Sequence, residues 1–176
     1  RMRKQSLLLG SMLSVMAFSS SAWALDGLTL EVGQTNESTQ TYRVGAQFDF
    51  TNPLWRSDGG AVALGGYWDA GLTHWSGLGS DSISLTPMFR LDFGPDNGGV
   101  TPFLEAGIGA SVFSEPELDD ERDLGSNFQF EDRLGAGVRF ASGSELGLRY
   151  YHYSNAGLDE SNPGINKTAL YYRFDI

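Results

Sequence analysis

His152 and Ser154 stand two residues apart, and an imidazole within reach of a hydroxyl is the pairing that turns serine into a nucleophile. The ring takes the hydroxyl proton, and a third group must hold the ring in the right tautomer. Leu146, Leu148, Tyr150, His152 and Ser154 share one parity, while Glu145, Gly147, Arg149, Tyr151 and Tyr153 share the other. Side chains of a strand alternate between two faces, so residues two apart sit on one face with Cα atoms about 6.5–7 Å apart. The polar pair therefore continues the apolar face. If that face meets lipid, the pair stands where the ester of a lipid could reach it; the plain alternative is two polar residues at a membrane interface.

What positions the pair has to be read from the rest of the chain. Arg1, Arg3 and Lys4 precede an apolar stretch from Leu7 to about Phe18, followed by Ser19-Ser20-Ser21-Ala22-Trp23-Ala24, which reads as a cleavable secretory signal over residues 1–24. The stretch is too short for a spanning helix, which needs about 20 apolar residues. Removing those three cations from the 12 basic residues leaves nine against 22 acidic ones, a balance that disfavours nucleic acid as a partner. There is no cysteine, so neither a disulfide framework nor a thiolate metal site is available.

Beyond residue 24, period-two alternation dominates and predicts eight strands at 28–35, 41–50, 61–75, 82–93, 101–113, 127–140, 145–153 and 165–176. One face is apolar throughout, for instance Leu28, Leu30 and Val32, or Leu104, Ala106, Ile108, Ala110 and Val112. The other carries almost every strand charge, including Glu31, Arg43, Asp69, Arg90, Glu105, Glu131, Arg133, Glu145, Arg149, Lys167 and Arg173. A soluble sandwich or ligand-binding barrel also alternates, but it hides the apolar face and puts charges in water. The glycines decide: Gly45, Gly65, Gly71, Gly107, Gly109, Gly135, Gly137 and Gly147 all share the charged face, as a narrow lumen requires. The expected fold is all-β, an eight-stranded antiparallel transmembrane β-barrel of the outer membrane occupying residues 25–176.

With both termini periplasmic, the outer loops are 36–40, 76–81, 114–126 and 154–164, and the third is rich in acidic residues without matching a calcium-loop spacing. His152 and Ser154 then face outward at the level of the outer leaflet. A turn at 142–144 would pair Ala141 with Glu145, setting Asp132 opposite Ser154 and Leu134 opposite His152. Asp132 is the one strand charge assigned to the outward face, where an ionisable group is costly and usually functional. Pro87, inside the fourth strand, predicts a bulge or local distortion because it cannot donate to a ladder.

The segment His152-Tyr153-Ser154-Asn155-Ala156-Gly157-Leu158 resembles the PagL-type lipid A 3-O-deacylases, together with Phe130-Glu131-Asp132-Arg133, the stretch from Pro102 to Gly109 and Gly66-Tyr67-Trp68-Asp69-Ala70-Gly71. The likeness runs through essentially all of residues 25–176 and is most specific from His152 to Leu158. It implies an eight-stranded outer-membrane barrel with its site on the outer wall. It also implies a serine esterase that removes the 3-hydroxyacyl chain at position 3 of lipid A and needs no cofactor.

Carried over, the resemblance makes Ser154 the nucleophile and His152 the general base. The family's third member is a glutamate, and the matching position here holds Asn166. Asn166 shares the outward parity of Leu170 and Tyr172; its amide oxygen can accept the imidazole N–H, as in Cys-His-Asn proteases, but supplies no full charge to an imidazolium. Asp132, Asp159 or Glu160 would be the substitutes. For the oxyanion, the Asn155 side chain and the backbone amides of Ala156 and Gly157 are the nearest donors, with Asp132 a further positioning group. The fourth outer loop would wall an acyl groove floored by Tyr150, Phe128 and Phe130. The implied partners are lipopolysaccharide as substrate and the outer membrane as solvent, and the pattern leaves room for a homodimer. A barrel with structural or adhesive roles and no catalysis, or an esterase acting on phospholipid, is the competing reading.

Overall fold

The structure, a computed structural model, describes residues 24–95, 98–116, 127–155 and 164–176. Residues 1–23 of the expected leader, residues 117–126 of the acidic connection, and the alternates Asp159 and Glu160 lie outside the described residues.

Nine strands form one sheet: β1 (Gly27–Thr35), β2 (Gln40–Asp49), β3 (Trp55–Arg56), β4 (Val62–Trp75), β5 (Ser80–Phe93), β6 (Thr101–Phe113), β7 (Phe128–Arg139), β8 (Glu145–Ser154) and β9 (Ile165–Asp175). Neighbours in sequence pair antiparallel except β2 and β3, β9 returns to β1, and β2 pairs with β4 past the short β3, so eight strands close into a barrel. The eight expected strands are all present with ends within two residues of expectation. The ninth, β3, is an addition: the connection at 50–61 folds back so that Trp55 and Arg56 pair with Leu64 and Ala63. That connection is thus longer than three of those at the opposite end, and the short-turn, long-loop contrast is only partial.

The alternation sorts as the sequence required. Outward residues such as Ile108, Leu134 and Leu148 are 68%, 62% and 58% exposed, whereas Arg43, Arg133 and Arg149 inside are each 2% exposed. A wall exposed in this way is stable only against lipid. The interior is filled by ion pairs. Asp69 accepts from Gln47 (2.9 Å) and Arg133 (2.5 Å) and forms an ion pair with Arg43 (3.1 Å), while Glu31 meets Lys167 at 3.1 Å and Arg149 at 3.4 Å. Towards the chain-terminal end, Glu145 gathers Arg90 (2.8 Å), Arg139 (3.2 Å) and Arg173 (3.6 Å). Buried charges of this kind are tolerated because each has opposite partners within hydrogen-bond reach. The lumen glycines make the room: the Arg43 guanidinium occupies the space a Cβ at Gly71 would need, and the Tyr171 ring does the same at Gly147. At the other end, Trp75, Leu78, Phe113, Tyr153 and Ile165 form a buried apolar cluster inside the barrel.

Three expectations change. The β7–β8 hairpin turns one residue earlier than expected, over 141–143 instead of 142–144, which shifts the pairing by two: Arg139 pairs with Glu145, Phe140 N–H bonds to Ser144 O at 2.8 Å, and Gly143 takes φ 91°. A three-residue loop with glycine in the left-handed position fits the twist of a hairpin better than the turn drawn from sequence. A slip of two keeps every side chain on its face but shifts the opposing pairs, so Asp132 lies opposite His152 and Phe130 opposite Ser154. At Pro87 the expected distortion is a gap in one ladder and not a bulge: β5 pairs with β4 without a break, and its register with β6 is the same at Leu85↔Ala110 as at Met88↔Gly107. Only the rungs at Thr86 and Pro87 are missing from that second ladder, the local cost of a residue without N–H. Finally, Asp132 is not the only outward charge, because β5 begins two residues earlier than expected and brings Asp81 opposite His74, their side chains 2.6 Å apart.

Candidate active site

Three strands bring the site together in one row. Asp132 of β7, His152 of β8 and Asn166 of β9 are direct cross-strand neighbours facing outward, with Ile108 of β6 continuing the row. Ser154, one outward position further along β8, closes the strand beside Phe130. His152, Asp132, Ser154 and Asn166 are all half-buried, intermediate between the lumen and the bare wall.

The orientation of the imidazole is set by Asn166. Its Oδ1 lies 2.5 Å from His152 Nδ1. With an amide oxygen in that position, Nδ1 carries the hydrogen and Nε2 keeps a lone pair. That is the tautomer able to take a proton from a hydroxyl. Asp132 is the direct cross-strand neighbour of His152 on β7, opposite Asn166 on β9.

The backbone beneath the pair is pinned from inside the barrel. Tyr151 and Tyr153, the inward neighbours of His152, are fully buried and donate their hydroxyls to Glu31 (2.5 Å) and Glu131 (2.7 Å). Tyr153 also packs edge-on against Trp75 and Phe113, with ring centroids 5.2 and 5.5 Å away. A strand gripped on its inner face in this way keeps its outer side chains in register. Asn155 is also buried, at 0% exposure, at the point where the strand ends. Gly157, the other residue read as an oxyanion donor, lies outside the described residues.

Two residues that the sequence reading did not single out belong to this site. Gly164 has φ 68°, and a Cβ on it would come within 3.2 Å of His152 Cε1 and 3.0 Å of the Tyr153 carbonyl oxygen, so only glycine fits under the ring. Asn36, from the β1–β2 connection, hydrogen-bonds the Asn166 backbone through both its main chain and its side chain, at 3.1 Å each. Glycine and asparagine in connections are too common in any chain to have been marked out.

From the row of His152 an open apolar groove runs down the outer wall. Its upper part, about 640 Å³, is lined by His152, Asp132, Ile108, Leu134, Tyr150 and Phe89, among others. A second part of about 650 Å³ continues over Leu104, Ala136 and Leu148 to Leu64 and Leu91. The two share Phe89, Ala106, Leu134 and Tyr150, one outward row across β5 to β8 in which Ala106 is the notch between larger side chains. Tyr150 lines the groove as expected. Phe128 and Phe130 do not; they pack edge-to-face against each other at 5.1 Å, two rows and one row further out than the histidine. The fourth connection, expected as a wall, lies outside the described residues from 156 to 163.

The family described as "Lipid A 3-O-deacylase (PagL)" matches residues 40–175. The lipid A deacylase PagL of Pseudomonas aeruginosa is 44% identical over 160 residues, covering 89% of each chain. That of Bordetella bronchiseptica is 39% identical over 126 residues, covering 64% of this chain and 67% of its own. Among solved structures, the crystal structure of the outer membrane enzyme PagL superposes with a TM-score of 0.79 at 43% identity, covering 85% of this chain and 99% of the other.

Proposed function

The chain belongs to the PagL family of lipid A 3-O-deacylases, and from that premise we propose that it is an outer-membrane esterase releasing the 3-hydroxyacyl chain at position 3 of lipid A, with Ser154 as nucleophile, His152 as general base and Asn166 as the group that orients the histidine. The observation that carries the residue assignment is the 2.5 Å bond between His152 Nδ1 and Asn166 Oδ1, made on the lipid-facing wall within one strand position of Ser154.

Ser154 Oγ attacks the ester carbonyl while its proton passes to His152 Nε2, and the imidazolium that forms is steadied through Nδ1–H by Asn166. Collapse of the tetrahedral intermediate breaks the bond to the sugar oxygen, which leaves with the proton from Nε2. Water, activated by the same nitrogen, then releases the fatty acid from the acyl-serine. The oxyanion is assigned to backbone N–H groups between Asn155 and Gly157, because the Asn155 side chain is buried on the inward parity of Tyr153. The apolar groove below His152 takes the hydrocarbon chain, and Asp132 at its head accepts a hydrogen bond from the chain's hydroxyl.

The end of the barrel bearing Ser154 faces the outer leaflet in this reading, and residues 1–24 serve as the export signal. The test is mass spectrometry of lipid A from cells expressing the wild type beside a Ser154→Ala variant. Loss of one 3-hydroxyacyl chain with the wild type alone supports the assignment. Unchanged lipid A with inserted wild-type barrel overturns it and turns the question to phospholipid esters, then to a barrel without catalysis.

A further inference from the structure

We propose that Asn36, in the connection between β1 and β2, is a positioning residue for the reaction that holds Asn166 where it can orient His152; the inference rests on the reading of Asn166 as the orienting group. Formal pairing of β1 with β9 ends at Thr35↔Lys167, which puts Asn36 opposite Asn166 as the next rung. A hydrogen-bonded antiparallel pair exchanges two main-chain bonds. Here one is main chain, from Asn36 N–H to Asn166 O at 3.1 Å, and the reciprocal bond from Asn166 N–H goes instead to the Asn36 side-chain Oδ1, also at 3.1 Å.

The substitution has a local cause. The chain is already turning at this point: Thr35 Oγ1 accepts from Glu37 N–H at 3.2 Å and Thr39 N–H at 3.3 Å, Thr35 N–H bonds to Thr39 O at 2.8 Å, and Ser38 takes φ 59°. The asparagine side chain supplies the acceptor that completes the rung, as short polar side chains do where a chain leaves regular structure. Both polar groups of the Asn166 main chain are thereby committed to Asn36, while its side chain is committed to His152. Asn166 is only the second residue of β9, so this rung is what fixes the strand end that carries it. The result is a relay from the first connection through Asn166 to the imidazole.

The experiment uses the full-length barrel, purified in detergent, with lipid A as substrate. It compares Asn36→Ala, Asn36→Asp, Asn166→Ala and the Asn36→Ala/Asn166→Ala double variant. Loss of one acceptor bond should lower kcat about fivefold in Asn36→Ala with KM changed less than twofold. Asn36→Asp keeps an oxygen in place and should stay within about twofold of wild type. In the Asn166→Ala background the Asn36→Ala change should cost nothing more, since the relay is already cut. The low-field proton resonance of the His152 Nδ1–H bond should persist in Asn36→Asp and broaden or vanish in Asn36→Ala. Should Asn36→Ala fail to fold, Asn36→Ser, whose oxygen is one bond closer to the backbone, carries the same expectation. A kcat loss in Asn166→Ala with none in Asn36→Ala overturns the proposal, as does an equal Asn36→Ala cost in both backgrounds. If Asn166→Ala itself leaves kcat unchanged, the reading of Asn166 falls and the inference falls with it.

Discussion

Replacing Asn166 by alanine removes the acceptor of the 2.5 Å bond to His152 Nδ1 and tests whether an uncharged group can serve as the third member of the site. The histidine becomes positively charged as Ser154 attacks, and a hydrogen bond to a charged group is worth about 1.5–3 kcal/mol. At 1.36 kcal/mol per factor of ten, kcat should fall roughly 10- to 150-fold, with the lower part of that range fitting a half-buried pair on the barrel wall. Asn166→Glu restores the family's carboxylate. Unit charges about 4 Å apart interact by about 1 kcal/mol in water and about 4 kcal/mol near a protein surface. Solvent and headgroups at this wall favour the small end, for an expected gain of about five- to tenfold in kcat. The existing contact leaves no slack for an extra methylene, so the glutamate must bend its chain to deliver that gain. The assay is release of the 3-hydroxyacyl chain from lipid A by purified barrels, quantified by mass spectrometry to give kcat and KM separately. An Asn166→Ala enzyme within twofold of wild type, beside an inactive Ser154→Ala, would refute the argument. Loss of activity in Asp132→Asn would then identify the opposite flank of the ring as the orienting side.

Gly164→Ala should lower kcat about tenfold, and stability by about 1–2 kcal/mol, because a left-handed residue gains a Cβ against His152 and the Tyr153 carbonyl; turnover and thermal unfolding of the variant check both parts. Ala106→Leu fills the notch shared by the two parts of the groove and should reduce kcat/KM more for long acyl chains than for short ones. Equal rates across a chain-length series would show that the chain does not lie over Ala106. Asp69→Ala strips the partner from two buried guanidinium groups and should destabilise the barrel by about 3–5 kcal/mol in detergent unfolding. A loss below about 1 kcal/mol would mean that Arg43 and Arg133 find other anions.

The sequence by itself determined the barrel and which way each strand faces. Alternation at period two needs no tertiary information, and the placement of Gly71 and Gly147 on the charged face distinguishes a lumen from a soluble core because their missing Cβ atoms are filled by Arg43 and Tyr171. It also put Ser154, His152 and Asn166 on one wall. Register was the part that escaped: a hairpin slip of two residues preserves parity, so no hydrophobic pattern opposes it, and only the turn geometry around Gly143 decided that Asp132 faces His152 rather than Ser154. Only the closed sheet could bring in Asn36 and Gly164, the first from 130 residues away along the chain. Their roles come from the two hydrogen bonds between Asn36 and Asn166, which exist only once β9 has closed on β1, and from one positive φ beneath an imidazole.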